Sequence, residues 1–309
     1  MNQNKKDRFL FAIDLDGTLL KESSTCELNQ KDIKAVKKLK DAGHIVCIIT
    51  GRPWRSAQRA YEKLGLNTLI GNYNGAHIHN PTDYSFIQTV SYLNLNDVMY
   101  ILGDKILKKN MTNIAIEAPG WVMLQKRDDD LEKVFGFKDA AKIKLGIDIH
   151  KLPLKPTGVV FDTKPGINVV ELKDYLQRTY GDLVEFSSWS KGEGKTPVFD
   201  MTSVGTTKAK AISLMARYYD IPINQTVAIG DGYNDVPMFE VCEYSVAMAN
   251  SSPDIQAKAT FVTQHNNKEG GVAEFVERFL ADEKDEFKEE LRKIRKIKNK
   301  IQEELIKAY

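Results

Sequence analysis

Three short apolar runs stand out along the chain: Arg8 to Ile13 (RFLFAI), His44 to Thr50 (HIVCIIT) and Thr226 to Gly230 (TVAIG). None alternates polar with apolar residues. That is the pattern of strands buried on both faces, as in a parallel sheet. Between the first two runs, NQKDIKAVKKLKDAG places Ile33, Val36 and Leu39 at helical spacing, and Gly43 offers a C-terminal stop. After the second run, RPWRSAQRAYEKLGL reads as another helix. Strand, helix, strand, helix predicts a doubly wound α/β core with a parallel sheet.

The pattern changes in the middle. Residues 83–202 hold six candidate strands, FIQTV, NIAIEA, VMLQ, TGVVFD, LVEFSSW and PVFDM, with helical patterns near Asn96–Lys109 and Gly166–Tyr180. This predicts an α+β insert with a sheet of its own. From about residue 203 the helix–strand alternation resumes with KAKAISLMARYYDI, TVAIG, DVPMFEVC, YSVAMA and FVTQ. The expected organisation is one core in two parts, 1–82 and 203–281, interrupted by an inserted domain at 83–202 and followed by a charged helix at 282–309. No internal repeat has a fixed period.

In that last stretch Phe287, Leu291, Ile294, Ile301 and Leu305 share a helical face, and Lys298 interrupts it. A coiled-coil seam needs about three to four heptads. This one is shorter, so it reads as an amphipathic helix docked on the core, with a weak homodimer contact as the alternative to a monomer.

Composition narrows the class. The chain has 309 residues, enough for about two domains. Hydrophobic residues make up 42% and charged residues 28%, which excludes wholesale disorder. The formal net charge of +2 gives no general nucleic-acid or membrane-surface signal. The three cysteines, Cys26, Cys47 and Cys242, are scattered without a Cys-x-x-Cys pair, so neither a disulfide framework nor a zinc site is expected. The N-terminus has too short an apolar stretch for a signal peptide. No window holds the ~18 apolar residues that span a bilayer. A soluble, cytoplasmic protein is the expectation.

The chemistry sits at the strand ends. The first run ends in Asp14-Leu15-Asp16-Gly17-Thr18, the second in Thr50-Gly51-Arg52, and the third in Gly230-Asp231-Gly232-Tyr233-Asn234-Asp235. Each alone would be a polar turn. Three such ends in one doubly wound sheet converge on one crevice, where α/β sheets bind ligands. Paired carboxylates attract a hard cation such as Mg²⁺, and one could attack phosphorus. A hydroxyl and free N–H groups entering a helix can cradle phosphate.

These motifs resemble the haloacid dehalogenase-like phosphatases, in particular the Cof-type branch (subfamily IIB) with an α/β cap. The resemblance rests on FAIDLDGTLL at 11–20, IITGRP at 48–53, NYNGAHI at 72–78, GTTKAKAI around Lys208, AIGDGYNDVPMF at 228–239 and the run 252–280. It implies a Mg²⁺-dependent phosphatase acting on a small phosphorylated metabolite of sugar phosphate, FMN or pyridoxal phosphate type. Asp14 would be nucleophile and Mg²⁺ ligand. Asp16 would be general acid and then base, and would bind the metal through its backbone carbonyl. Leu15, Thr50, Gly51, Lys208 and Asn234 would bind the phosphoryl group. Asp231 would complete the metal shell and Asp235 would support it. Lys210 is the fallback for Lys208, because the usual glycine after the lysine is Ala209 here. Carboxylates sharing a site push their pKa values apart, and the acid role asks Asp16 to carry the higher one.

Two rivals remain. A phosphotransferase or phosphomutase would use the same residues with another acceptor. A non-catalytic binding protein would keep the fold and use the terminal helix, although an inert scaffold has no physical need for a cluster of like charges.

Other signals are weaker. GEGKT at 192–196 lacks the first glycine of a phosphate-binding loop and is followed by Pro197. No cysteine has an arginine six residues on. His77 and His79 could reach the site mouth but read as ordinary loop histidines, and His150 and His265 show no metal-ligand spacing. Asp128-Asp129-Asp130 reads as a helix N-terminus or solvated turn. Trp121, Lys126, Arg127, Trp189 and Lys191 are candidate substrate contacts of the insert, with packing as the equal alternative for the tryptophans.

Overall fold

The computed structural model describes residues 8–148, 155–190, 195–282 and 284–308. Two sheets organise them. The first has eight strands: β1 (Leu10–Ile13), β2 (Ile45–Ile49), β3 (Ile70–Asn72), β4 (His77–His79), β5 (Thr89–Val90), and, after the insert, β12 (Thr226–Gly230), β13 (Tyr244–Ala247) and β14 (Phe261–Val262). Their order is β14-β13-β12-β1-β2-β3-β4-β5. Pairing is parallel from β14 through β3 and antiparallel for β4 and β5.

The three apolar runs are therefore adjacent central strands, with β1 between β12 and β2. Their lack of alternation has a direct cause, because both faces are covered. Phe9, Phe11 and Ile13 point into one core cluster with α1 (Gln30–Asp41), α2 (Trp54–Lys63), α10 (Gly271–Leu280) and α11 (Glu286–Ala308). Leu10 and Ala12 point into the opposite cluster with α7 (Lys208–Tyr218), α8 (Val236–Val241) and α9 (Pro253–Gln256). Helix α1 buries Val36 and Leu39 as expected, is capped by Asn29, and is followed by Gly43 at φ +85°.

The second sheet has the order β10-β11-β9-β6-β7-β8. Its strands are β6 (Met111–Ala118), β7 (Trp121–Leu124), β8 (Lys142–Leu145), β9 (Gly158–Thr163), β10 (Val184–Ser190) and β11 (Pro197–Ser203). One face buries Ile116, Met123 and Phe161 together with Val98, Leu107 and Leu176 of α3 (Leu95–Leu102), α4 (Lys105–Asn110) and α6 (Val169–Tyr180). The other buries Val122, Leu124 and Val160 under Val134 and Phe135 of α5 (Asp129–Phe135). Asp128 caps α5 by accepting from the N–H groups of Asp130 and Leu131, both at 3.1 Å.

Three elements differ from expectation. The strand expected in the insert at FIQTV forms as Thr89–Val90 and pairs with β4, so it is the edge of the first sheet. The helical pattern near Asn96–Lys109 is two helices, because Asp104 starts a new one by accepting from Leu107 N–H at 2.7 Å. Strand β8, KIKL, was not anticipated; it is exposed along its length and pairs parallel with β7. Among the described residues no helix is long and apolar enough to cross a membrane.

Candidate active site

The chain runs outward from β1 through β2 to β3, and in the opposite direction from β12 through β13 to β14. The crevice at such a reversal is where open α/β sheets take ligands. Asp14 leaves β1 there, its N–H bonded to Ile229 C=O at 3.0 Å. The chain then makes one wide turn over Leu15–Leu19, closed by Leu20 N–H to Leu15 C=O at 2.8 Å. Gly17 at φ +69° makes the turn possible, and a Cβ on it would overlap the Asp231 carboxylate. Thr18 Oγ1 donates to that carboxylate at 3.1 Å, and Asn250 Nδ2 donates to Gly17 C=O at 2.9 Å.

Asp231 and Asp235 flank the turn after β12. Asp235 is fully buried and accepts from Asp231 N–H (2.9 Å), Gly232 N–H (2.8 Å) and Lys208 Nζ (2.6 Å). Lys208 opens α7, has no solvent exposure, and also lies 2.7 Å from Asp14 Oδ1. Lys210 is exposed, so Lys208 is the lysine the fold turns inward.

One ammonium thus faces three carboxylates. Asp14, Asp231 and Asp235 each bring an oxygen within 4.8 Å of the others. Burial raises the Asp14 carboxyl to about 7; Lys208 opposes the rise, while Asp235 and Asp16 add to it. Asp231 is raised well above the usual carboxylate range by burial and then by Asp235 and Asp14. Burial works against the charge on Lys208, but Asp14 and Asp235 outweigh it and hold its pKa above the usual value. This excess of negative charge fits a hard divalent cation. Asp235 already accepts from two N–H groups and Lys208, so Asp14 and Asp231 would be the main holders of the cation and Asp235 would fix the loop beside it.

Asp16 lines the same cavity but stands apart from the three-carboxylate cluster. Arg52 Nε and Nη2 each donate to one of its carboxylate oxygens at 2.6 Å. Arg52 is fully buried, and it also donates to Ser23 C=O at 2.6 Å and to Val134 C=O of the insert at 3.1 Å. Burial and crowding thus fall on Asp14, which lies with Asp231 and Asp235, while Asp16 is paired with a guanidinium of its own. The sequence displays Arg52 in Thr50-Gly51-Arg52 but assigns it no role. Its signal is its place at a buried strand end, since a buried arginine needs a partner.

The phosphate-binding candidates lie around the same opening. Thr50 is buried, accepts from Arg52 N–H at 3.2 Å through Oγ1, and its carbonyl accepts from Asn74 N–H at 2.9 Å. Leu15 is buried in the turn after Asp14. Gly51 and Asn234 line the cavity, and Asn234 Nδ2 donates to Asn74 Oδ1 at 3.2 Å.

That cavity measures about 650 Å³ and lies between the core and the insert. The insert contributes Asp130, Lys133, Val134, Ser188 and Lys195. Lys195 bonds both oxygens of Asp130 at 2.9 Å. Trp121 is buried among the apolar residues of the second sheet, and Lys126 and Arg127 are exposed away from the cavity. The Trp189 side chain, Lys191, His150 and the glycines of GEGKT lie outside the described residues. His77 and His79 do not reach the site; they stack at 4.3 Å on β4, with Trp54 edge-on to His79.

The sequence profile of the haloacid dehalogenase-like hydrolases matches residues 11–276. The chain belongs to that family. It is similar to a putative phosphatase of Metamycoplasma hominis, 57% identical over 275 residues, which are 89% of this chain and 98% of that protein. A Bacillus subtilis 5-amino-6-(5-phospho-D-ribitylamino)uracil phosphatase, YitU, is 31% identical over 88% of this chain and 98% of its own. Among solved structures, a haloacid dehalogenase-like hydrolase from Bacteroides thetaiotaomicron superposes with a TM-score of 0.70 at 20% identity, covering 88% of this chain and 99% of that one. A subclass IIB sugar phosphatase of the family superposes at 0.71, with 20% identity, over 88% and 98%. The chain is thus a haloacid dehalogenase-like hydrolase with a mixed α/β fold.

Proposed function

We propose that this hydrolase is a Mg²⁺-dependent phosphatase that releases phosphate from a small phosphorylated metabolite by way of a phosphoryl group carried on Asp14. The observation that carries the reading is the placement of Asp14. It is nearly fully buried, 2.7 Å from Lys208, and shares a crevice with Asp231 and Asp235. The names of the two relatives support a phosphate ester as the substrate class.

A phosphate monoester dianion repels an attacking carboxylate. Lys208 and the amides following Asp14 and Thr50 offset that repulsion, and a divalent cation held by Asp14 and Asp231 would add to the offset. An Asp14 oxygen bonds to phosphorus as the bond to the leaving oxygen breaks, and Asp16 supplies the proton to that oxygen. Water then attacks phosphorus, Asp16 takes its proton, and the bond to Asp14 breaks to release phosphate. Arg52 keeps Asp16 oriented through its two-pronged contact. The insert acts as a cap, closing the cavity and offering the Lys195–Asp130 pair, Lys133 and Ser188 to the leaving group.

The test is phosphate release from p-nitrophenyl phosphate and a panel of phosphometabolites, with and without Mg²⁺, beside Asp14→Asn. Mg²⁺-dependent release that Asp14→Asn abolishes is the expected result. Turnover persisting in Asp14→Asn would refute the assigned nucleophile. Transfer of phosphate to a second metabolite without release would make the protein a phosphotransferase.

A further inference from the structure

Helix α11 lies beyond residue 276, where the family match ends. It docks through Phe287 and Leu291, with the Phe287 ring 5.6 Å from Phe261 and 5.9 Å from Phe275. Its next turns present three cations at three-residue intervals. Arg292 lies 3.6 Å from Glu243. Arg295 donates to the carbonyls of Phe239 (3.1 Å) and Glu240 (2.7 Å). Lys298 donates to the carbonyls of Ala257 (2.7 Å) and Ala259.

Phe239 and Glu240 lie in the last turn of α8, Ala257 is the C-cap of α9, and Ala259 is in the turn that follows it. The last carbonyls of a helix have no partner within it, and a cation there also complements the helix dipole. Helices of six and four residues are far below the length that sustains itself in water. Both begin at the active site. Asp235 immediately precedes α8, and its carboxylate holds the Asp231 and Gly232 amides and Lys208. Ser252 precedes α9 and lines the cavity with Ile255, and a hydrogen bond from Tyr233 Oη to Asp254 ties the two site-facing ends together.

We propose that α11 is a positioning element for the active site: Arg295 and Lys298 hold the far ends of α8 and α9, and thereby fix Asp235 and the Asp231 loop in cation-binding geometry. A displacement of α8 along its axis carries Asp235 with it, which withdraws the acceptor from the Asp231 and Gly232 amides. Arg295 and Lys298 act through these helices and touch neither substrate nor cation. The inference rests on the proposed function for its consequence in turnover, but its geometry concerns the carboxylate loop alone.

The test uses the full chain with Arg295→Ala and Lys298→Ala combined. Mg²⁺ binding is measured by calorimetry and amide exchange by mass spectrometry over residues 231–241. A hydrogen-bond partner of a metal ligand is worth about 10- to 100-fold in affinity. Arg295 and Lys298 act one helix further out, so a loss of up to about 10-fold is expected, with faster exchange at Asp231 and Gly232. Arg295→Lys should recover part of the affinity. Ile301→Ser, on the exposed end of α11, should change nothing. A folded double variant with wild-type Mg²⁺ affinity and wild-type exchange at 231–236 overturns the proposal. If the double variant does not fold, Arg295→Gln and Lys298→Gln are read singly, and wild-type affinity in both overturns it equally. Absence of phosphatase activity in the wild type would refute the proposed function while leaving the Mg²⁺ and exchange readings of this proposal intact.

Discussion

Arg52 and Asp16 meet through a two-pronged contact, Nε to one carboxylate oxygen and Nη2 to the other, each at 2.6 Å. The same guanidinium reaches Val134 C=O on α5. One buried side chain therefore links the orientation of Asp16 to the seating of the insert.

Arg52→Lys tests that link, because an ammonium keeps the charge and loses the planar fork. A misplacement of about 1 Å in a reacting group costs on the order of 100-fold. Between 10- and 100-fold loss in kcat is expected, with KM little changed. Loss of one charged hydrogen bond should lower stability by about 1–3 kcal/mol in urea denaturation. An unchanged kcat would mean that Asp16 orients itself without Arg52.

Gly17→Ala places a methyl group where the Asp231 carboxylate stands, on a residue whose φ of +69° already disfavours a side chain. Asp231 has to move, so Mg²⁺ affinity measured by calorimetry should fall at least tenfold. The apolar clusters are untouched, so the far-UV circular dichroism should stay native.

Arg55 and Glu117 form a buried ion pair between α2 and β6, with Tyr73 Oη 3.3 Å from the same carboxylate. Arg55 also donates to Gly136 C=O at 3.1 Å. Removing one partner of such a pair costs about 3–5 kcal/mol, because the other charge is left buried and unpaired. Arg55→Met and Glu117→Gln should each destabilise strongly. The double variant should cost less than the sum of the two in thermal denaturation, and additive losses would show that the pair is not coupled.

Asp32 gives a pH signature separate from the site. It is buried at the start of α1 and accepts from Ala273 N–H at 2.8 Å, while its other carboxylate oxygen has no partner among the described residues. Burial raises its pKa to about 7 against the Ala273 bond and Lys31. The folded pKa exceeds the unfolded one, so the neutral acid favours the fold. That contribution is complete below about pH 4 and is lost as pH rises to about 7. A shift of this size corresponds to at most about 4 kcal/mol. Asp32→Asn should be progressively more stable than wild type from pH 4 to pH 7, read from denaturant midpoints. A constant difference across that range would refute the assignment.

How the sequence foretold these features depends on what each feature rests on. β1, β2 and β12 were legible because burial on both faces leaves a continuous apolar run. Asp14, Asp231 and Asp235 stood out because they sit at the ends of such runs; Lys208, which opens α7, stood out only through the motif around it. β8 was not, since Ile143 and Leu145 are half exposed and the strand exists through pairing with β7. Thr89–Val90 read as a strand, but no local pattern says which of two sheets it joins. Arg52 and Asp16 lie 36 residues apart, and only the folded chain shows that they meet. Lys298 looked like a flaw in an apolar seam; it is the point where α11 grips α9.

Thr18 and Asp231 share a hydrogen bond across 213 residues of chain. β1 gains β2 early in synthesis, but its other neighbour, β12, comes after the whole insert. At ~5–20 residues per second, that edge stays open on the ribosome for about 10–40 s. Every strand of the second sheet is made within this interval. A nascent chain halted before residue 226 would thus hold a complete second sheet beside five of the eight strands of the first, with an apolar edge that invites pairing with another chain. Interrupted synthesis yields a candidate for aggregation or proteolysis rather than a weakened enzyme.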